Sequence, residues 1–365
     1  MQPNRLRVIA PLVVLFGLFF LAGPRLRAHV TDTPLKLTDA EFWKLTEDVS
    51  EPNGQFQSDN LLSNEMGFQT IIPELKKIVK PGVYMGVGPE QNFTYIAALQ
   101  PKMVFITDVR RGNLELHLMY KALFEMSDDR ADFVGMLFGK KRPDGLTRTS
   151  SVAEIFAKYD AAPISAASHT DTWKRLIDHL TKAPHTFPLQ KDDIDGIQYV
   201  YDSFYAYGTA INYRSSGGAG FGGGQWATYE SLMVTNDGFG AERSFLANDE
   251  LFRFMKDVET KNLLVPTVGN FAGPKALRAV GAYIRAHGET VQAFYLSNVE
   301  DYLTGGLWQS FCNNVASLPL TTSSTFIYGA RPVGGGGGGG GLASWYRSMS
   351  ADVATYKCQA GPRQF

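Results

Sequence analysis

Cysteine is scarce: Cys312 and Cys358 are the two in 365 residues. That excludes a disulfide scaffold and a multi-cysteine zinc or iron–sulfur protein. Charge is thin as well, at 19% Asp, Glu, Lys and Arg, with 35 basic against 36 acidic side chains and a formal charge of -1. Such a balance excludes a long disordered chain and a broadly basic nucleic-acid binder, so no nucleic-acid partner is expected. A phosphate-binding P-loop and a Gly-x-Ser-x-Gly nucleophile elbow are missing, and Ser215-Ser216-Gly217 lacks the strand–turn–helix surroundings of one. His117, His169, His179, His185 and His287 show no pair at four-residue spacing on a helix, so no metal is expected. Apolar residues, by contrast, make up 44% of the chain and aromatics 12%. A chain of this length buries a full core without disulfide staples, as two domains or as one large α/β domain with an insertion.

The N-terminus carries Arg5 and Arg7, then an apolar run from Val8 to Gly23, then Pro24, Arg25 and Arg27. As a helix that run spans ~24 Å, short of a comfortable membrane crossing. A basic start, an apolar middle and the small residue Ala28 suit a signal peptide, with an uncleaved membrane anchor as the alternative. Either way the expected location is the bacterial envelope, exported to the periplasm or anchored at the membrane through residues 1–28. Near the other end, Gly334 to Gly341 is a glycine tract that reads as a flexible linker. The tail from Leu342 onward reads as a peripheral appendage, with a Cys312–Cys358 disulfide as one way to tie it down.

Between the ends, strand-like and helix-like patterns alternate. Thr38-Asp39-Ala40-Glu41 is a capping-type helix start, and Thr70 to Val79 is amphipathic. Val83 to Val87, Met103 to Thr107, Leu263 to Val268, Val291 to Leu296 and Thr325 to Tyr328 read as strands. Asn92 to Leu99, Leu114 to Phe124, Pro274 to His287 and Leu307 to Leu318 read as the helices between them. Short connections imply parallel strands with right-handed crossovers. The expected fold is an α/β, Rossmann-like open sheet, mostly parallel, with helices on both faces and a long inserted segment. Its parts are a helical segment over 29–80, the first half of the core over 81–139, an insertion capping the sheet over 140–245, the second half over 246–330, and the linker and tail over 331–365. The insertion holds Tyr199, Tyr201, Phe204, Tyr205, Tyr207 and Tyr213, read chiefly as packing and alternatively as the lining of a pocket for a flat or lipidic ligand. Gly217 to Gly224 beside Trp226 and Tyr229 reads as a mobile lid or simply a long loop.

The chemistry-bearing pattern is Gly86-Val87-Gly88-Pro89-Glu90-Gln91-Asn92, where the first strand turns into its helix. Glycines there let a ligand approach the backbone. Asp108 follows at the end of the next strand, where nucleotide-binding α/β folds place a carboxylate for ribose hydroxyls. The alternative reading is a tight βα turn with Asp108 capping the next helix at Gly112-Asn113.

This arrangement resembles the class I AdoMet-dependent methyltransferase fold, with Gly86 and Gly88 in its nucleoside-binding loop and Asp108 as its ribose-binding acid. Leu296-Ser297-Asn298-Val299-Glu300-Asp301-Tyr302-Leu303 resembles the segment after that family's fourth strand, and its Leu-Ser-Asn-Val element is similar to one in lipid-modifying AdoMet aminocarboxypropyl transferases. Over nearly its whole length the chain also resembles an uncharacterised family of exported bacterial proteins, through Gly86 to His117 and Asn262 to Tyr302. The methyltransferase resemblance implies S-adenosylmethionine as cofactor, held by Gly86, Gly88, Glu90, Asp108, Asn270, Ser297 and Asn298 around one crevice at the carboxyl ends of the strands. Glu300 and Asp301 are the candidates for acid–base work, with a surface helix start as the other reading. Arg110 and Arg111 are read as solvated charges or helix-start neighbours or, second, as a clamp for an anionic substrate.

AdoMet is cytoplasmic, whereas the N-terminus favours export. The two functional expectations divide there. One is a methyltransferase-like protein, an AdoMet-dependent transferase acting at the membrane on a small-molecule or lipid substrate. The other is an exported, non-catalytic binding or envelope protein on the same scaffold.

Overall fold

A computed structural model describes residues 36–215, 226–330 and 343–356. The expected signal or anchor segment, the glycines from Gly217 to Gly224, the tract Gly334 to Gly341 and Cys358 lie outside the described residues. Among the described residues no helix is long and apolar enough to cross a membrane.

Helix α1 (Asp39–Val49) opens with the expected capping box, in which Thr38 and Glu41 bond each other's backbone N–H. Residues 50–67 then run without regular structure, and a 3₁₀ turn (Phe68–Ile71) leads into α2 (Ile72–Ile78). The core begins with β1 (Val83–Gly86), α3 (Gln91–Leu99), β2 (Met103–Asp108) and α4 (Arg111–Met126). A helical series follows: α5 (Arg130–Leu137), α6 (Val152–Ala161), α7 (Ala166–Thr181), α8 (Lys191–Tyr207), α9 (Tyr229–Val234) and α10 (Asp249–Thr260). The chain returns to the sheet with β3 (Leu264–Val268), α11 (Ala276–Ala286), β4 (Val291–Ser297), α12 (Gly306–Ala316), β5 (Leu320–Ala330) and β6 (Ala343–Ser348), then ends its described course in α13 (Met349–Tyr356).

The six strands form one sheet in the order β3-β2-β1-β4-β5-β6, parallel except for β6, which runs antiparallel to β5. Register is set by pairs such as Val83 with Met103 and Val104 with Leu264. Strands β1 to β3 are buried along their whole length, as the continuous apolar runs demand of a sheet covered on both faces. Helix α10 joins α3 and α4, while α11 packs against α12 and α1; right-handed connections in this strand order place the two groups on opposite faces of the sheet. This is an α/β, doubly wound architecture compatible with a Rossmann-like fold.

Two expectations need correcting. The tail past Leu342 is not wholly peripheral, because β6 completes the sheet. Its hold comes from long-range partners: Arg347 donates to Glu300 Oε1 at 2.7 Å, and Ser344 donates to Glu65 Oε2 at 2.9 Å. The insertion does not cap the sheet as a whole either. Helices α7 and α8 pack against α4, with Tyr201 and Phe204 buried while Tyr199 and Tyr207 remain about half exposed. Tyr201 and Phe204 therefore pack helix on helix. The carboxyl ends of the strands are crossed by the irregular stretch 50–67, where helices and turns were expected, and the insertion adds Tyr213 and Trp226 beside it.

Candidate ligand-binding site

Strand order reverses between β1 and β4, since the chain builds β2 and β3 on one side and β5 and β6 on the other. In open α/β sheets that switch point, at the carboxyl ends of the strands, is where a crevice forms. A cavity of about 770 Å³ lies there, within the range of small-molecule and cofactor sites. Its floor comes from Val87, Gly88 and Pro89 after β1, Asp108 and Val109 at the end of β2, Asn270 and Phe271 after β3, and Tyr295, Ser297 and Asn298 of β4 and beyond. The stretch Gln55–Ser63 supplies one wall. Tyr213 and Trp226 supply another, their rings stacked at 5.6 Å.

The turn after β1 is held from below by one side chain. Asn92 donates to the carbonyls of Val87 at 2.8 Å, Gly88 at 3.3 Å and Pro89 at 2.8 Å, while its Oδ1 accepts the Tyr84 hydroxyl at 2.9 Å. His117 Nε2 lies 2.9 Å from the Gly88 carbonyl, so that nitrogen carries the proton. Burial lowers the His117 pKa to about 4, which keeps the ring neutral. Gly86 lies inside β1, where a Cβ would stand 1.9 Å from Asn92 Oδ1. It makes room for the clamp and does not line the cavity. Gly88 has φ +72°, which favours glycine, and a Cβ there would meet nothing within 4 Å. The turn thus presents bare backbone to the cavity.

Asp108 is nearly fully buried and reaches the cavity from the end of β2. Burial raises its carboxyl pKa, opposed by the Arg110 guanidinium 3.6 Å away and by the Arg110 backbone N–H, which donates to Oδ1 at 3.0 Å. That last bond is a local turn at residues 108–110, so Asp108 does not reach Gly112-Asn113 as a cap. Arg111 turns the other way, onto Asp193 at 2.6 Å. Both arginines therefore have carboxylate partners, and neither lines the cavity.

Asn270 is placed by a residue that sequence reasoning passed over. Glu51 accepts the backbone N–H groups of Asn270, Lys275 and Ala276 at 2.8–2.9 Å, fixing the β3–α11 connection and capping α11. Asn314 tightens the same loop by donating to the carbonyls of Phe271 and Gly273.

Beneath β4 lies a second group with no local sequence signal. Glu65 is fully buried and accepts four hydrogen bonds: Tyr295 at 2.7 Å and Ser297 at 2.6 Å on Oε1, Gln91 at 2.9 Å and Ser344 at 2.9 Å on Oε2. Tyr295 and Ser297 line the cavity, so Glu65 joins the site to α3 and to the edge strand β6. Glu90 also sits inside, accepting the Ser63 N–H at 3.3 Å, and burial pushes its pKa up to about 8. It is thus a buried, protonated carboxyl at neutral pH and does not line the cavity.

Of the expected set, Gly88, Asp108, Asn270, Ser297 and Asn298 border one cavity, and Gly86 and Glu90 support it from within. Glu300 is drawn away by Arg347, whose guanidinium also stacks over the Tyr328 ring at 4.1 Å. Asp301 accepts from Asn298 at 3.3 Å on the exposed surface. Neither acid borders the cavity.

None of the curated proteins matches the chain. A family match covers residues 61–178 and 225–331, more than half of the chain, and spans Gly88, Asp108, Asn270, Ser297 and Asn298 together with the strands that carry them. The chain belongs to the family described as Domain of unknown function (DUF7790).

Proposed function

We propose that the cavity binds a nucleoside-containing small molecule and that the chain is a methyltransferase-like, AdoMet-dependent transferase working at a membrane. The observation that carries this reading is that Asp108, closing β2, opens on the same cavity as the bare turn at Gly88 after β1. A carboxylate there accepts from a ribose diol while the turn admits the neighbouring part of the ligand. Aromatic faces at Phe56, Tyr213, Trp226 and Tyr302 suit a flat base or an apolar acceptor. Group transfer from a sulfonium donor depends chiefly on holding donor and acceptor in line, a task for a rigid cavity more than for a nucleophile.

One observation favours a second reading. Among the described residues that line the cavity, Asp108 is the sole carboxylate, and His, Cys, Lys and Arg do not occur. That composition also fits an exported binding or envelope protein that uses the same cavity for recognition alone.

Calorimetric titration of residues 29–365 with AdoMet and with adenosine, beside Asp108→Ala, separates the readings. Micromolar binding of AdoMet that the substitution abolishes is the expected result. A well-folded sample giving no heat with either ligand overturns the nucleoside site and leaves the recognition protein.

A further inference from the structure

At the far end of α4 from the cavity, the fold gathers Glu125, His179 and His185. Glu125 lies 14 residues after Arg111, about 21 Å along the helix at 1.5 Å per residue. His179 is in the last turn of α7, and His185 follows six residues later. That spacing carries no helical metal signature; chain folding, not helical periodicity, makes the pair. Glu125 Oε2 stands 2.6 Å from His179 Nε2 and 2.6 Å from His185 Nε2, and the three atoms all lie within 4.8 Å of one another.

The surroundings hold these groups in place. Asp39 Oδ1 lies 2.8 Å from His185 Nδ1 and itself accepts Asn262 Nδ2 at 3.0 Å. A carboxylate there requires the proton on Nδ1. That bond turns His185 Nε2 toward Glu125 Oε2, 2.6 Å away. The ring is fixed by stacking on Phe187, with centroids 4.7 Å apart and planes 9° apart. Backbone bonds from His185 to His179 and from Phe187 to Leu180 set the turn. Lys121 takes the other oxygen of Glu125 at 2.8 Å, which orients Oε2 toward the histidines. The side chains of Glu125 and His185 are 6% and 7% exposed, and that of His179 is 15% exposed.

We propose that Glu125, His179 and His185 bind one divalent transition-metal ion, Zn²⁺ by its ligand chemistry, with Asp39 as the carboxylate that orients His185. Two imidazole nitrogens and one carboxylate oxygen form a known zinc donor set, and a carboxylate behind a ligating histidine is its usual support. At metal–ligand distances of about 2.0–2.2 Å, tetrahedral angles separate the donors by about 3.3 Å. Each histidine nitrogen then stands about 0.7 Å farther from Glu125 Oε2 than in its present 2.6 Å contact. The ion would tie α4, α7 and, through Asp39, α1 into one unit. It stands apart from the cavity and owes nothing to the nucleoside reading.

The test uses the full chain freed of metal with a chelator, then titrated with Zn²⁺ against a chromophoric competitor and, separately, with Co²⁺. The expected result is one equivalent bound, visible Co²⁺ bands of a four- or five-coordinate ion, and a Tm raised by a few degrees at saturating Zn²⁺. His185→Gln and His179→Gln should each weaken binding at least tenfold. Should one variant fail to fold, the other and the wild-type Co²⁺ spectrum still decide. Absence of stoichiometric binding by folded wild type overturns the proposal, as does binding that both substitutions leave intact.

Discussion

Asn92 reaches so close to Gly86 that a Cβ on the glycine would stand 1.9 Å from its Oδ1. The contact joins the last residue of β1 to the first turn of α3, and the carbonyls bound by the same amide belong to the turn that floors the cavity. Residue 86 is therefore glycine because the clamp occupies the space that a side chain would fill.

Gly86→Ala must push Asn92 off its partners or shift β1 against Ile106, whose Cδ1 would lie 3.0 Å from the new methyl. Overpacking of this kind costs about 1–3 kcal/mol. Gly88→Ala meets no clash and loses only the ease of a positive φ, about 1–2 kcal/mol. Urea unfolding should show both variants folded and less stable. Ligand titration should show Gly88→Ala losing more affinity than its stability loss suggests, because its methyl points into open space above the turn.

Glu90 predicts a pH dependence of stability. Its folded pKa, raised by burial to about 8, exceeds the ordinary value of 4.5. Below pH 4.5 both folded and unfolded states hold the proton, and the group carries no penalty. As pH rises from 4.5 through 8 the unfolded chain releases it while the folded one keeps it, so stability falls across that window. Glu90→Gln mimics the protonated form, and its carbonyl still accepts from Ser63. Denaturant unfolding between pH 5 and 8.5 should show the variant gaining on wild type as pH rises. Parallel curves would show that Glu90 does not hold its proton. Glu259, pushed up to about 8 by burial, titrates in the same range, so the difference between the two curves is the diagnostic quantity.

Legibility followed locality. Strands β1 to β4 and the helices between them stand out because each is apolar along its own length, and Thr38 with Glu41 announces the start of α1 three residues apart. Gly88 and Asp108 are legible for the same reason, as punctuation at strand ends. Strand β6 is not, because Ala343–Ser348 has no apolar run and leaves Trp345 and Tyr346 largely exposed. Its identity comes from pairing with β5 and from the grip of Glu65 and Glu300. Glu65 itself looks like any loop acid until Tyr295, 230 residues away, is brought to it. Glu300 misled in the opposite sense: its position after β4 suggested chemistry, whereas its partner Arg347 lies in a strand that the sequence did not announce. His179 and His185 repeat the lesson, six residues apart in a spacing with no helical meaning.

The Glu65 hub yields a prediction about coupling. Its two oxygens take four donors with no water-exposed route, so removing the charge leaves hydroxyl and amide groups buried and short of acceptors. Glu65→Gln keeps the shape but has one acceptor oxygen where the carboxylate has two, and should cost about 2–4 kcal/mol. Tyr295→Phe removes a single donor and should cost about 1–2 kcal/mol. In the double variant the lost Tyr295 hydroxyl no longer lacks a partner, so the two costs should fall short of adding by at least about 0.5 kcal/mol. Simple additivity in urea unfolding would mean that the carboxylate and the hydroxyl act independently. The same variants bear on the site, since Tyr295 and Ser297 line the cavity that Glu65 does not touch. Glu65→Gln should therefore weaken ligand binding, with Ser297→Ala as the control that removes one donor and leaves the carboxylate in place.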